Sequence, residues 1–311
     1  MTKDRKIALG VDIGGSHITA AAVCLDQFEV IPGTSINQKL DSKASKEAIL
    51  EAWAGTIREA LSHRACNESM ELAGIGIAMP GPFDYPNGVA MFAGNDKYEC
   101  LYRVDVRKPL SALINIPEEK IHFFNDASSF AVGAALQQQV LHKRTVALTL
   151  GTGFGAAFLL NALPTIEDAL IPENGCLWDK EFKDGIADDY FSTRWFVRKY
   201  RAMTGETHTG VREIVASHSE AKHEVFQEFV ENLTVFLSPH LEKFNAEALL
   251  IGGNIARSHH LFVEALRDTL GVPLGLQIEI VEDTENCNML GASHLMKLDY
   301  WKQQAALKAF F

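Results

Sequence analysis

The apolar residues of this chain fall into short blocks closed by glycine, proline or charged loops, and two spacings alternate along it. Residues 6–13 and 17–25 read as strands joined by the turn Asp12-Ile13-Gly14-Gly15-Ser16, with a third strand near 28–32. Over 44–64 the spacing becomes helical and puts Ile49, Trp53, Ile57, Ala60 and Leu61 on one face. Residues 72–84 return to a strand ending at Met79-Pro80-Gly81-Pro82, a rigid loop because proline fixes φ. A short helix over 104–115 and a strand over 119–126 follow. The helix over 127–139 is rich in small residues, which predicts close packing against a sheet.

The segment 145–160, TVALTLGTGFGAAFLL, repeats the opening design. Setting Asp12 opposite Gly151 aligns Ile7-Ala8-Leu9 with Val146-Ala147-Leu148 and Gly14 with Gly153. Two matching strand–turn–strand units predict an internal duplication clasping one ligand between its lobes. A helix over 187–203 is closed by Gly205, and an amphipathic helix over 220–244 carries Pro239, where a bend is expected. Residues 246–258 form a third strand and glycine turn running into a helix through about 270. A strand over 276–282 and a terminal helix over 288–310 complete the alternation, which predicts an α/β class.

Composition narrows the setting. The 311 residues suffice for about two domains, and apolar (47%) and charged (22%) shares are those of a globular protein. A net charge of −11 with no dense Lys/Arg block predicts no nucleic-acid partner. No apolar run approaches the roughly 20 residues of a membrane helix, and no signal-peptide core follows MTKDRK. Five scattered cysteines, Cys24, Cys66, Cys100, Cys176 and Cys287, lack any C-x-x-C pair and predict reduced thiols. The expected location is the cytoplasm, with no membrane partner.

The glycine turns carry the candidate chemistry. Each is readable as a plain hairpin or as a loop whose amides meet an anion, since no Cβ obstructs Gly14–Ser16 or Gly151–Gly155. Asp12 suits a magnesium ion, held directly or through water. Asn125-Asp126 reads either as an N-cap for the helix behind it or as a base at the end of a strand.

Taken in order with Asn125-Asp126, these turns resemble the ROK sugar-kinase family of the actin-like/hexokinase ATPase superfamily, over nearly the whole chain. The resemblance rests on Asp12-Ile13-Gly14-Gly15-Ser16, Pro80-Gly81-Pro82, Asn125-Asp126-Ala127, Leu150-Gly151-Thr152-Gly153-Phe154-Gly155 and Gly252-Gly253. It implies a two-lobed actin-like fold with a ligand cleft, one lobe of 1–118 plus the terminal helix 290–311, the other of 119–289. It implies nucleotide contacts from Asp12, Gly14, Gly15, Ser16, Gly151, Thr152, Gly153, Gly155, Gly252, Gly253 and Asn254, and ATP with Mg²⁺ as the reacting pair. Asp126 becomes the catalytic base, and Gly81, Asn95, Asn125, Asp126, Glu173, Cys176 and Asp188 the sugar contacts. A plain turn is the other reading of Asn95, and a solvated loop carboxylate that of Glu173.

Two departures matter. The family's E-x-G-H reads Glu173-Asn174-Gly175-Cys176, and a thiol is a weak substitute for an imidazole. Its zinc-binding cysteine cluster is replaced by residues 179–188 without cysteine, so no structural zinc is expected. Three activities compete: an ATP-dependent hexose kinase acting on glucose or a close relative, a non-catalytic sugar sensor or regulator, and an assembly ATPase. Retention of Asp126 and the absence of room for a helix-turn-helix domain favour the kinase. The apolar face of the terminal helix, with Met289, Leu290, Leu295, Trp301, Phe310 and Phe311, reads as internal packing or as a homodimer contact.

Overall fold

The structure is a computed structural model that describes residues 5–63, 66, 70–94 and 97–307. The chain forms two compact units, Met1–Leu136 with Glu285–Phe311 and Gln137–Thr284. The strand and helix around Asn125-Asp126 thus group with the first unit.

The first unit opens on β1 (Arg5–Ile13), β2 (His17–Cys24), β3 (Glu29–Val30) and β4 (Ile36–Lys39). Helix α1 (Lys46–Leu61) starts where the Ser45 hydroxyl accepts the Ala48 amide at 3.3 Å. Its face of Ile49, Trp53, Ile57 and Ala60 is buried as the spacing predicts. After β5 (Met70–Met79) come the short β6 (Phe83–Asp84) and β7 (Val89–Ala90), α2 (Arg107–Ile114), β8 (Ile121–Asn125) and α3 (Asp126–Gln137). The sheet order is β3-β2-β1-β5-β8, with β4 also on β2; β1 and β2 are antiparallel, while β1, β5 and β8 are parallel.

The second unit repeats this order. β9 (Thr145–Leu150), β10 (Phe154–Leu160) and β11 (Leu163–Thr165) form an antiparallel meander. A small hairpin of β12 (Glu181–Phe182) and β13 (Gly185–Ile186) precedes α4 (Ala187–Phe191), α5 (Thr193–Thr204), α6 (Val211–Ala216) and α7 (Ala221–Phe244). Then β14 (Ala248–Gly252) and β15 (Gln277–Ile280) add in parallel, giving β11-β10-β9-β14-β15. Each sheet therefore runs as three antiparallel strands followed by two parallel ones on the side of the first, the first sheet adding β4 as a sixth strand. The duplication seen in the turns extends to whole sheets.

Three expected helices differ. The one over 187–203 breaks at the buried Ser192, whose backbone is extended (φ −103°, ψ 164°). The next residue is drawn away: the Thr193 amide and hydroxyl both donate to the Gly151 carbonyl at 2.8 Å. The helix through about 270 is a 3-10 turn over Ala256–Leu261, α8 (Val263–Leu266), a π-turn over Arg267–Gly271 and α9 (Val272–Leu274). Pro273, lacking an N–H, cannot extend an α ladder there.

The terminal helix begins earlier, as α10 (Thr284–Lys297), and restarts as α11 (Tyr300–Leu307) beyond Asp299, whose φ is +54°. Phe310 and Phe311 lie outside the described residues. Within the first unit, the small residues of α3 meet helix α10 at backbone distance. A Cβ on Gly133 would lie 1.9 Å from the Cys287 carbonyl oxygen, and one on Gly291 would lie 1.8 Å from that of Ser129.

Candidate active site

In the first unit, strand register assembles the polar residues before any side chain is considered. Asp12 pairs with Ala78 across β1 and β5, and Ala78 pairs with Phe124 across β5 and β8. The carboxyl ends of three parallel strands therefore carry, in one row, Asp12, the loop Pro80–Pro82 after Met79, and Asn125-Asp126. Two strand spacings separate the outer members, about 10 Å. Open α/β sheets bind ligands at such an edge.

Asp12 is 6% exposed. Burial pushes its carboxyl up to about 7; the Asn288 amide of α10, donating at 2.9 Å, works against this, and the carboxylates of Asp126 and Glu285 add to it. The Asn288 Oδ1 is buried without a partner. A desolvated carboxylate beside an orphaned amide oxygen fits a hard cation, which would relieve both. No group of three or more His, Cys, Asp or Glu suited to a metal occurs among the described residues. Mg²⁺ keeps most of its water and takes few protein carboxylates.

Asn125 performs the capping: its Oδ1 accepts the Ser128 amide at 3.0 Å, at the start of α3. Its Nδ2 donates at 3.1 Å to the hydroxyl of buried Tyr85, which in turn donates to the Met79 carbonyl at 3.1 Å. The β5 loop and the β8 end are tied together this way. Among the described residues Asp126 accepts from backbone amides at the start of its own helix, that of Ala127 at 2.8 Å, and burial raises its carboxyl above the usual range.

The first glycine turn closes through the Gly14 amide on the His17 carbonyl, 3.0 Å. Buried Tyr98 donates its hydroxyl to the Gly14 carbonyl. Because a trans peptide holds C=O and the following N–H antiparallel, the Gly15 amide points away from Tyr98. The amides of Gly15 and Ser16 have no partner among the described residues. His17 stacks its edge beside Gly14, with Nδ1 3.2 Å from the Ser16 hydroxyl and Nε2 3.1 Å from Glu285 Oε1. Glu285 also accepts Thr19 at 2.8 Å and Asn37 at 3.2 Å. Contact with His17 lowers the Glu285 carboxyl to about 2, and Glu285 raises the imidazole in return.

The second unit holds its turn differently. Gly151 donates to the Gly153 carbonyl at 3.0 Å, and the Phe154 amide donates to Asp188 Oδ1 at 2.7 Å. Arg194 donates to the Thr152 carbonyl at 3.2 Å and pairs with Asp188. With the Gly151 and Thr152 carbonyls engaged by Thr193 and Arg194, the amides of Thr152 and Gly153 point the other way, unpartnered among the described residues. Gly155 lies in β10 opposite Thr149. Asp188 thus has both carboxylate oxygens committed to the turn. Gly252 ends β14, and Gly253 is required by packing: its φ is +93° and a Cβ would lie 2.3 Å from the Leu150 carbonyl oxygen. Its amide donates to Thr284 at 2.9 Å, and Asn254 beside it is exposed.

Glu173 is exposed and its carboxylate makes no contact among the described residues. The Cys176 thiol turns into its own loop, toward the Glu173 carbonyl (3.7 Å) and Asp179 (3.5 Å), and burial pushes it up to about 11. Asn95 lies outside the described residues. Sequence reasoning passed over Tyr85, Tyr98, Asn288, His17, Glu285 and Arg194; His17 alone stood next to a motif.

Residues 8–295 match the family model described as ROK. The chain is 26% identical over 290 residues to an N-acetyl-D-glucosamine kinase of Haemophilus influenzae, covering 84% of this chain and 88% of that protein. Its fold is similar to a ROK family glucokinase from Streptomyces griseus in complex with glucose and AMPPNP (TM-score 0.72, 18% identity, 94% of this chain, 99% of the other). It is equally similar to a ROK family transcriptional regulator, a homologue of the E. coli MLC protein (TM-score 0.73, 17% identity, 99% of this chain, 82% of the other). With an actin-like fold and a family match over most of its length, this chain belongs to the ROK family.

Proposed function

We propose that this protein is an ATP-dependent sugar kinase that transfers the γ-phosphoryl group to a hydroxyl of a hexose, glucose or an N-acetylhexosamine such as N-acetylglucosamine. The supporting observation is the row formed by Asp12, Pro80–Pro82 and Asn125-Asp126 at the carboxyl ends of β1, β5 and β8. A kinase needs a base, an anion-tolerant turn and a metal-compatible carboxylate on one edge. A sensor needs no raised carboxylate without hydrogen-bond donors beyond its own helix.

In this reading the sugar hydroxyl gives its proton to Asp126 as its oxygen bonds to the γ-phosphorus and the bond to the β-phosphate oxygen breaks, releasing ADP. Burial makes Asp126 the stronger base and disfavours its resting charge. Asn125, fixed by Ser128 and Tyr85, orients the start of α3. The amides of Gly15 and Ser16 donate to phosphate oxygens. Mg²⁺, held by Asp12 beside Asn288, would offset charge on the phosphates. Gly81 and Glu173 remain proposed sugar contacts, whereas Asp188 is occupied by Phe154 and Arg194 and Cys176 by its own loop. In the second unit Thr152 and Gly153 are proposed phosphate ligands, with Gly252 to Asn254 on the nucleoside side.

The test is ADP release across a panel of hexoses. Stimulation by one sugar, lost about 1,000-fold or more in Asp126→Asn, is expected. Sugar-dependent thermal shifts without turnover would instead identify a sensor, the reading favoured by the similarity to the regulator.

A further inference from the structure

The edge that carries Asp12 and Asp126 has a problem as a phosphate site: the carboxylates of Asp126 and of Glu285 on α10 both raise Asp12, in a chain of net charge −11. Like charges repel a triphosphate. Two cationic side chains stand against the turn itself. A Cβ on Gly15 would lie 2.8 Å from Lys97 Nζ, and one on Gly14 would lie 3.3 Å from His17 Cε1. The volume that ordinary side chains would fill beside these glycines is taken by an ammonium and an imidazole.

Their placement is built in. Lys97 precedes Tyr98, which is 1% exposed and anchored to the same turn by its hydroxyl on the Gly14 carbonyl. The Tyr98 amide donates to the Ser42 carbonyl at 2.9 Å, and its ring packs on Trp53 and Phe92. Lys97 itself is exposed and makes no hydrogen bond or ion pair among the described residues. His17 is fixed at Nε2 by Glu285 and at Nδ1 by Ser16.

We propose that Lys97 and His17 form a cationic cradle over the first glycine turn that binds the terminal phosphate of a phosphoryl donor. Lys97 contacts the phosphate oxygens directly; His17, held by Glu285, adds a second charge in its protonated form and positions the Ser16 hydroxyl. The anion binding stands on this geometry alone, while a role in turnover rests on the kinase reading. There Lys97 is a catalytic residue, offsetting charge on the transferring group.

The experiment uses the full chain and has two arms. Calorimetry with inorganic tripolyphosphate, in chelator and without sugar, reads anion binding apart from metal and catalysis. Wild type is expected to bind, Lys97→Gln and His17→Gln each about tenfold more weakly, and Lys97→Arg within about threefold. Thermal midpoints confirm that each variant folds. In the second arm, sugar-dependent ADP release is expected to fall about 100-fold in kcat/KM for ATP in Lys97→Gln, with the sugar KM within about twofold. Absence of tripolyphosphate binding to wild type, or an unchanged Lys97→Gln in either arm, overturns the cradle. Lys97-dependent anion binding with no turnover on any sugar leaves the cradle standing and removes the kinase reading.

Discussion

The two glycine turns solve one problem with different parts. Both sit between the first two strands of a sheet whose order is three antiparallel strands and then two parallel ones. Both leave two consecutive amides without partners among the described residues, the second by engaging both carbonyls behind them and the first by engaging that of Gly14. In the first, a single neutral hydroxyl, Tyr98, holds Gly14, and the nearby acid Asp12 lies at the end of the same strand. In the second, position 151 is glycine, and the acid comes from α4: Asp188 takes the Phe154 amide while Thr193 and Arg194 take the carbonyls. Duplication preserved the backbone direction and exchanged the side chains that enforce it. A turn ready for anions is thus a property of carbonyl engagement, and glycine only permits it.

The sharpest way to break this comparison is at Asp188. Asp188→Ala removes the acceptor of a buried amide and the partner of Arg194 together, so a loss of about 2–3 kcal/mol is expected. Asp188→Asn keeps one oxygen for Phe154 and should cost about half as much. Hydrogen exchange at the Phe154 amide should quicken in the alanine variant while that at the Gly14 amide, bonded to the His17 carbonyl, stays as before. Equal quickening in both turns would mean that the two are not held independently.

A smaller loss is expected at the first turn. Tyr98→Phe removes one hydroxyl from the Gly14 carbonyl but keeps the ring against Trp53 and Phe92, so about 1 kcal/mol is at stake. Here exchange at the Gly14 amide should rise and that at the Phe154 amide remain unchanged. If Tyr98→Phe leaves the Gly15 amide undisturbed, the hydroxyl does not orient that peptide and the parallel between the turns fails.

Much of this was legible in one dimension because it is local. Alternating spacing and paired glycines reveal both hairpins, and Gly133 belongs to a visible run of small residues, although its packing partner is helix α10 rather than a sheet. The parts that were not legible are those fixed by distant partners. Asn288 reaches Asp12 across 276 positions and Tyr98 reaches Gly14 across 84, and neither carries a local signal. The break at Ser192 was hidden for the same reason: the apolar period continues through it, and only the pull of Gly151 on Thr193 interrupts the helix. Asp188, matched to a sugar contact by position, accepts the Phe154 amide and pairs with Arg194, partners that its motif does not announce.

The finest distinction between the turns is their response to pH. The first has a titrating anchor, the His17–Glu285 pair; the second has a guanidinium, that of Arg194, and no imidazole. Glu285 is lowered from 4.5 to about 2, so its contribution is complete above about 4.5 and is lost as pH falls through about 2. His17 is raised from 6.5, so its contribution is complete below 6.5 and is lost as pH climbs past its folded value. The pair therefore stabilises most between about 4.5 and 6.5. Its side chains are 35% and 39% exposed, so solvent screening holds the coupling below about 1 kcal/mol. A double-mutant cycle of His17→Gln and Glu285→Gln should show coupling at pH 5.5 that shrinks at pH 3 and at pH 9. The cycle of Asp188→Asn and Arg194→Gln should lack the alkaline limb, because no imidazole is present to discharge. Coupling between His17 and Glu285 that stays flat from pH 5.5 to 9 would show that a neutral hydrogen bond, and not an imidazolium, braces the first turn.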